Sequence, residues 1–479
     1  MGRMAKTLWV VLAVAVVRAC TIAVFAPDAT EYGRPMLWKN RDVPNYRQQY
    51  IFVAEEHSFI AITYQGVYDR VYGGVNDAGF GIVNTDTYNH GPNTGRGLSD
   101  GQVMYLALAH CESVWDFLGL LDSLLADSAA GLRSTHCYGI IDQYGNAGVV
   151  EANCESYVYF SANAMPDHYL VRTNFAISGD SSNRIGYERY MRARALFDTL
   201  LPVSVSDVWS VASDLVSPEL NPYPLPYEGT YDGLPTGYIP TDRTINRFLT
   251  TSYQIIIGKN FGDNIDFPVL WAGFSQPYYT IPVPMWVGTG SVPPDFTGTG
   301  NYFCEESKFL HDIVYDRGYW NWFNSYAGDF INDYFAETRE QVWGIFAKYL
   351  LMWQMQKEIS SEEIVQAEDD IISLVGETYA ELHGLWVREH PVVVPQEITL
   401  SAQPNPFNAS TVIEFNLPLP YEGLLEISDL SGRVILSRQL GPADTRFVWT
   451  PESSLPSGIY LARIVCGGHS ATQKLYLIK

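Results

Sequence analysis

The sequence predicts an α+β fold with an appended helical segment and a C-terminal β-sandwich. Three observations carry that reading. Short β-prone runs punctuated by turn residues, with helical stretches set between them, occupy residues 20–201. Residues 305–390 then turn helical. From Gln396 to Lys479 the chain returns to short strands and turns, at the spacing of a small antiparallel sandwich of Ig-like type.

The elements follow in order. Residues 1–19 read as a secretory signal peptide, with Arg3 and Lys6 ahead of the apolar run Leu8–Val17 and small residues at Val17 and Ala19. Thr21–Phe25 is a β-prone run, and Pro35–Asp42 is its return strand after a turn at Gly33. Phe59–Tyr64 and Gly81–Asn84 read as strands around the turn chemistry of Val75–Gly79. Gln102–Cys111 and Phe117–Leu125 read as helices, the second behind a capping box at Ser113 and Asp116. His136–Tyr144 and Ala147–Cys154 form a hairpin about Gly145-Asn146, a register that sets Cys137 opposite Cys154 and predicts a disulfide between them. Tyr169–Arg172 is a strand and Glu188–Leu201 a helix. Residues 202–294 are rich in Pro, Gly and Tyr, with Arg247–Gly258 and Thr280–Val287 the best strands. Ser360 to Glu363 opens a helix with another capping box.

Composition narrows the function classes. The 479 residues suggest two or three domains. Thirty Lys and Arg against 53 Asp and Glu give a net charge of −23, which argues against a nucleic-acid partner. Beyond the signal peptide no apolar run approaches the ~20 residues that span a bilayer. The six cysteines show no C-x-x-C and no metal-like spacing with histidine, and no Gly-rich phosphate loop follows a strand, so neither metal nor cofactor is expected.

Cys20 is the residue on which the chemistry turns. Cleavage after Ala19 would expose an N-terminal cysteine, which carries a nucleophile and a base in one residue. Its α-amine titrates near ~7.7–8.0 and its thiol near ~8.5, so the amine can take the thiol proton. Two plainer readings compete: a lipoprotein acylation site, which the bulky Arg18 disfavours, and an ordinary buried thiol.

Four stretches in order add to this. Cys20–Val24, Gly33–Asp42, Asn76–Asn84 and Val171–Phe175 together resemble the cysteine N-terminal-nucleophile (Ntn) hydrolases. The resemblance is to the isopenicillin-N acyltransferase-like branch, with choloylglycine hydrolases and penicillin V acylases as cousins. It spans Cys20 to about Val287 and implies a four-layer αββα core, residues 20–392 forming the catalytic domain with a helical appendage at about 305–390. A second resemblance covers Ser401–Lys479. Pro404–Asn408, Ile427–Val434, Leu455–Tyr460 and the terminal lysine look like a type IX secretion sorting domain within 396–479. It implies outer-membrane secretion machinery as a partner and a secreted or cell-surface location. Its plainer reading is an Ig-like accessory module.

The resemblance implies roles residue by residue. Cys20 is the nucleophile and its own amine the base. Asp42 holds that amine. Lys39 stands where the cousins carry an arginine, giving charge without a bidentate fork. Strand alternation puts Lys39 and Arg41 on one face and Asp42 on the other, so a bend or bulge is needed to bring Lys39 and Asp42 together. Asn174 is an oxyanion donor, Asn84 the second, with Asp86 a competing alignment two residues on, and Arg247 completes the set. His57, His110 and His136 are read as structural. A partly aromatic pocket is expected from Ala61–Tyr72 and Trp271–Trp286.

The implied activity is cleavage of a linear amide bond of an N-acyl amide or peptide through an acyl-enzyme, by hydrolysis or acyl transfer. A secreted Cys-Ntn dipeptidase and a non-catalytic cell-surface scaffold are the alternatives.

Overall fold

The structure is a computed structural model and describes residues 19–93, 95–127, 131–216, 225–230, 236–263, 268–316, 322–355, 360–389, 398–416, 423–441, 444–466 and 469–479. Residues 1–18, nearly all of the expected signal peptide, lie outside them. The chain divides into two compact units, Met1–His383 and Gly384–Lys479.

In the first unit, β1 (Thr21–Phe25) and β2 (Met36–Asp42) open one sheet. A second sheet runs in chain order as an antiparallel meander: β3 (Gln48–Val53), β4 (Phe59–Tyr64), β5 (Gly74–Asn76), β6 (Gly81–Asp86), β7 (His136–Ile141), β8 (Ala147–Ala152) and β9 (Tyr157–Ser161). Helices α1 (Asp100–His110) and α2 (Val114–Ala126) interrupt it between β6 and β7. Both begin at capping boxes, Ser99 with Gln102 and Ser113 with Asp116, which satisfy backbone N–H groups that would otherwise be orphaned. The chain rejoins the first sheet through β10 (Tyr169–Arg172). After α3 (Tyr187–Leu200), α4 (Val205–Ala212) and β11 (Tyr238–Pro240) it adds β12 (Thr250–Ile257), β13 (Val269–Phe274) and β14 (Val283–Trp286). The order across that sheet is β10-β1-β2-β12-β13-β14.

The two sheets face each other between helices. α1 and α2 bury Val103, Leu108, Phe117 and Leu121 against Phe59, Ile82, Tyr138 and Ile140 of the meander. On the other side, Gly139 of β7 has no room for a Cβ: it would stand 2.8 Å from a Val24 methyl of β1, so the missing side chain lets the sheets close. The far face of the first sheet packs on α3 and α4, through Trp38 and Phe25 against Phe197 and through an Asn40 Nδ2 bond to the Ala212 carbonyl at 2.9 Å. Helix, sheet, sheet and helix are thus stacked as four layers.

Past β14 come α5 (Tyr302–Val314), β15 (Trp322–Asn324), α6 (Ser325–Met355) and α7 (Ser361–Glu389). α6 sets Trp343 and Phe346 on Trp271 at 4.7 and 4.8 Å, and Trp353 on Trp286 at 5.2 Å. The Trp271–Trp286 aromatics are therefore core under the helical segment and not pocket lining, because the long helices cover that edge of the sheet.

The hairpin register differs from the expectation. Ile141 pairs with Ala147, and Cys137 faces Glu151, not Cys154. The cause is Asp142. Its carboxylate accepts from the backbone N–H groups of Tyr144 and Asn146 and from the Asn146 amide, closing a five-residue loop and ending the strands early. All six cysteines are described and no disulfide joins any of them.

The second unit holds β16 (Leu400–Gln403), β17 (Thr411–Phe415), β18 (Gly423–Asp429), β19 (Val434–Leu440), β20 (Arg446–Trp449), β21 (Gly458–Cys466) and β22 (His469–Leu477). They form two antiparallel sheets, β16-β17-β20 and β19-β18-β21-β22, sharing a core of Ile413, Phe415, Leu425, Trp449 and Ile464. Lys479 ends the chain with its Nζ donating to the carbonyls of Glu452, Ser453 and Leu455.

Candidate active site

Cys20 lies just ahead of β1, where the two sheets meet, and is 8% exposed. Its carbonyl oxygen accepts from Arg189 Nη1 at 2.8 Å and from Thr85 Oγ1 at 3.4 Å. Arg189 belongs to the first turn of α3 and is buried. Gly186, the residue before that helix, has φ +82°, and a Cβ there would meet the Arg189 guanidinium at 2.4 Å. Glycine is needed both for the backbone and for the room. Arg189 also donates to Thr21 Oγ1 at 2.8 Å and, through Nη2, to Asn174 Oδ1 at 2.7 Å.

Asn174 follows β10. With its oxygen held by Arg189, its Nδ2 donates to the Asp86 carbonyl at 3.0 Å and to Thr85 Oγ1 at 3.2 Å. Asn84, in β6, is bound at both ends as well: Lys39 Nζ donates to its Oδ1 at 2.5 Å, and its Nδ2 donates to Asp100 Oδ2 at 2.9 Å. Lys39 Nζ also donates to the Tyr72 carbonyl at 2.7 Å, so two of its three donors are used. Burial pulls the Lys39 ammonium down to about 8, opposed by the Cys20 thiol.

Asp42 is fully buried. Thr250 Oγ1 donates to its Oδ1 at 2.8 Å, while Oδ2 has no hydrogen bond and lies 3.7 Å from Arg247 Nη1. Burial pushes its carboxyl up to about 6, against the pull of Arg247 and Arg189. The pairing is irregular on the neighbouring strand and not at Asn40 of β2. β12 shifts register between Thr250 and Ser252, opposite Asp42 and Arg41, so Thr250 faces Asp42. Lys39 and Asp42 both act on the Cys20 thiol. Burial raises the thiol, Lys39 lowers it, and Asp42 and Asp86 raise it further, so without a base the sulfur stays protonated. Arg41 turns away, stacked between Tyr64 at 4.6 Å and Tyr72 at 4.3 Å and bonded to Gln48 Oε1 at 2.8 Å.

A cleft of about 560 Å³ adjoins this cluster, lined in part by Tyr64, Tyr72, Asp86, Asp100, Arg133 and His136. Of the aromatic stretches expected to line it, only the first contributes. His136 is not remote structure: its Nδ1 lies 3.0 Å from Asp86 Oδ1 and its Nε2 2.6 Å from Ser134 Oγ, in the cleft wall. Asp86, Asp100 and His136 bring one ligand atom each within 4.8 Å of one another, a set able to hold a cation.

The structure thus gathers Cys20, Lys39, Asp42, Asn84, Asn174 and Arg247 into one cluster and adds Arg189, Thr250 and the Asp86 side chain. Arg189 sits in no motif. Its one sequence signal is a glycine three residues before it, at a helix start soon after Asn174.

Comparison with known proteins bears on the same region. Residues 29–216 match the acyl-coenzyme A:6-aminopenicillanic acid acyl-transferase family. The matched acyl-transferase region begins after Cys20 and ends before Arg247, and it includes Lys39, Asp42, Asn84, Asn174 and Arg189. Residues 401–479 match the secretion system C-terminal sorting domain, which marks the chain for export to the secreted or cell-surface compartment. No curated protein matches by sequence. Among solved structures, a variant of conjugated bile acid hydrolase from Clostridium perfringens is 12% identical, over 58% of this chain and 99% of that one, with a TM-score of 0.35. Penicillin V acylase from Agrobacterium tumefaciens is 14% identical, over 56% and 85%, with a TM-score of 0.34. Among the described residues no helix is long and apolar enough to cross a membrane.

Proposed function

We propose that this protein is an exported Ntn hydrolase that cleaves a linear amide bond through Cys20. On this reading residues 1–19 are removed as the signal peptide, 20–392 are the catalytic domain with its helical appendage, and 396–479 are an Ig-like sorting domain. The observation that carries it is the surrounding of one buried thiol by Lys39, Asp42, Asp86 and the Arg189 clamp, four residues that all fall in the family-matched region although Cys20 precedes it.

Each group has a chemical part. The freed Cys20 amine takes the thiol proton, and the unbonded Oδ2 of Asp42 is the buried acceptor that such an amine requires. The thiolate attacks the substrate carbonyl, with Lys39 stabilising negative charge beside it. The carbonyl oxygen becomes an oxyanion, for which Asn84 and Asn174 are the nearby amide donors. Both now donate within the protein, so each gives up a partner when substrate arrives. The amine, now an ammonium, protonates the leaving nitrogen as the C–N bond breaks. Water then attacks the thioester, giving the acid and restoring the thiol.

The test is direct. Secreted protein should have an intact mass that begins at Cys20 with an unmodified amine, and should turn over amides from a panel of N-acyl amino acids, penicillins and dipeptides. Cys20→Ser should remove that turnover. Activity that survives the substitution defeats the reading.

A further inference from the structure

The cation beside Asp42 is held from outside the site. Among the described residues no hydrogen bond fixes the Arg247 guanidinium: its Nε is buried without a partner, and Nη1 stands 3.7 Å from Asp42 Oδ2. Its place is therefore set by its backbone. The Arg247 N–H donates to Thr250 Oγ1 at 3.2 Å, and the Thr250 N–H donates to the Arg247 carbonyl at 2.8 Å. The same Thr250 hydroxyl donates to Asp42 Oδ1. One tight turn thus presents a cation and a hydroxyl to one buried carboxylate.

Two bonds pin the middle of that turn to the chain leaving β2. The Val43 N–H donates to the Leu249 carbonyl at 2.9 Å, and the Tyr46 hydroxyl donates to the Phe248 carbonyl at 2.8 Å. A carbonyl only accepts, so the Tyr46 proton goes to Phe248, and the Tyr46 oxygen is left to accept from His311 Nε2, 2.6 Å away. His311 belongs to α5 and is 4% exposed. Its ring stacks on Tyr315 at 4.7 Å, and the Phe248 ring packs on both, at 5.0 and 4.9 Å. The charged groups at His311 are Asp312, 3.5 Å from Nδ1, and Lys308, which is paired with Asp312. Burial holds the imidazole below its ordinary pKa against the pull of Asp312, so it is neutral, with one proton to give. Apolar side chains at 46 and 311 would fill the same space and leave the Phe248 carbonyl without this donor.

We infer that Tyr46 and His311 are positioning residues for the reaction: together they hold the Arg247–Thr250 turn, and through it the guanidinium and hydroxyl that face Asp42, so that α5 serves the active site although it lies outside the family-matched region. This rests on the amide-hydrolase reading above. Asp42 faces Arg247 from the turn, Arg189 from α3, Lys39 from its own strand, the Cys20 thiol and the Tyr46 phenol. Of the three cations only Arg247 is carried by the turn, and its charge favours the ionised carboxylate. A loosened turn withdraws that charge, and Asp42 then takes up its proton at higher pH.

The experiment uses the mature full-length protein and whichever penicillin, N-acyl amino acid or dipeptide the parent turns over fastest, with kcat and KM followed from pH 5 to pH 9. Tyr46→Phe should lower kcat about tenfold at pH 7 and leave KM within about twofold. It should also move the acid limb of kcat/KM up by about one pH unit from its parental place near 6. His311→Leu should do the same, while His311→Gln, which keeps an N–H for the Tyr46 oxygen, should stay within about threefold of the parent. An acid limb left in its parental place by Tyr46→Phe and His311→Leu overturns the inference, whatever happens to kcat, and makes the pair a plain element of stability. His311→Gln as damaged as His311→Leu also overturns it, by showing that ring bulk and not the proton is what counts. Should one variant fail to fold, the other reads the same acid limb. A parent with no Cys20-dependent turnover removes the hydrolase reading itself, and this inference with it.

Discussion

Arg189 Nη2 donates to Asn174 Oδ1 at 2.7 Å, and that bond decides which end of the Asn174 amide faces Thr85 and the Asp86 carbonyl. Because the same guanidinium holds the Cys20 carbonyl, the proposed nucleophile and the proposed amide donor are positioned by one side chain. Lysine cannot reproduce a fork that spans three acceptors. Arg189→Lys should lower kcat on the order of 10²–10³-fold with little change in KM, and millimolar guanidine should partly rescue Arg189→Ala. A loss confined to KM would mean that Arg189 positions nothing in the reaction.

Asn174 itself should behave as a donor to the transition state. Asn174→Ala is expected to cost on the order of 10²–10³-fold in kcat. A loss of less than tenfold, measured on protein of unchanged thermal stability, would leave the residue a purely structural link between β10 and β6.

Activity should depend on the ionised form of Asp42. Its carboxyl is raised to about 6 by burial, so protonation begins well above the ordinary aspartate range. kcat/KM should therefore fall as pH drops through about 6, and Asp42→Asn should be nearly inactive across the range. A profile flat from pH 7 to pH 5 would count against it.

Glu368 offers a test of stability. It is 4% exposed on α7, accepts from the Trp286 backbone N–H at 2.6 Å, and burial raises its carboxyl to about 8. An acid whose folded pKa exceeds its unfolded value binds more protons when folded, so its contribution is fully present at low pH and declines as pH rises from the ordinary glutamate range through about 8. Glu368→Gln keeps an acceptor for the same N–H and removes the titration. Its melting temperature should match the parent near pH 4 and exceed it by several degrees at pH 8.5. Equal shifts at both pH values would show that ionisation of Glu368 is not what destabilises the parent.

Much of the site could be read from the chain because its residues lie in short contiguous runs. Lys39 and Asp42 share one strand, Asn84 ends a Gly-rich turn-and-strand signal, and Asn174 follows the short strand Tyr169–Arg172. Arg189 could not be read that way. A lone arginine near a helix start looks like a solvated charge until the fold buries it. β3 and β13 were hidden for a related reason: Gln48-Gln49 and Gly273 break the apolar pattern, although Gln48 is buried to serve Arg41 and Ser252. The β7–β8 register went astray because a side-chain contact, Asp142 to its own loop, outranked the turn propensity of Gly145-Asn146. The four-layer stacking came from resemblance, since alternation along a strand shows that a face is buried and not what buries it.

The unbridged cysteines carry a practical meaning for a protein bound outside the cell. Nothing in the scaffold is held by oxidation, so a reducing buffer that protects the Cys20 sulfur from sulfenic acid leaves the architecture as it was. Reductant can therefore be chosen for the sake of the sulfur alone.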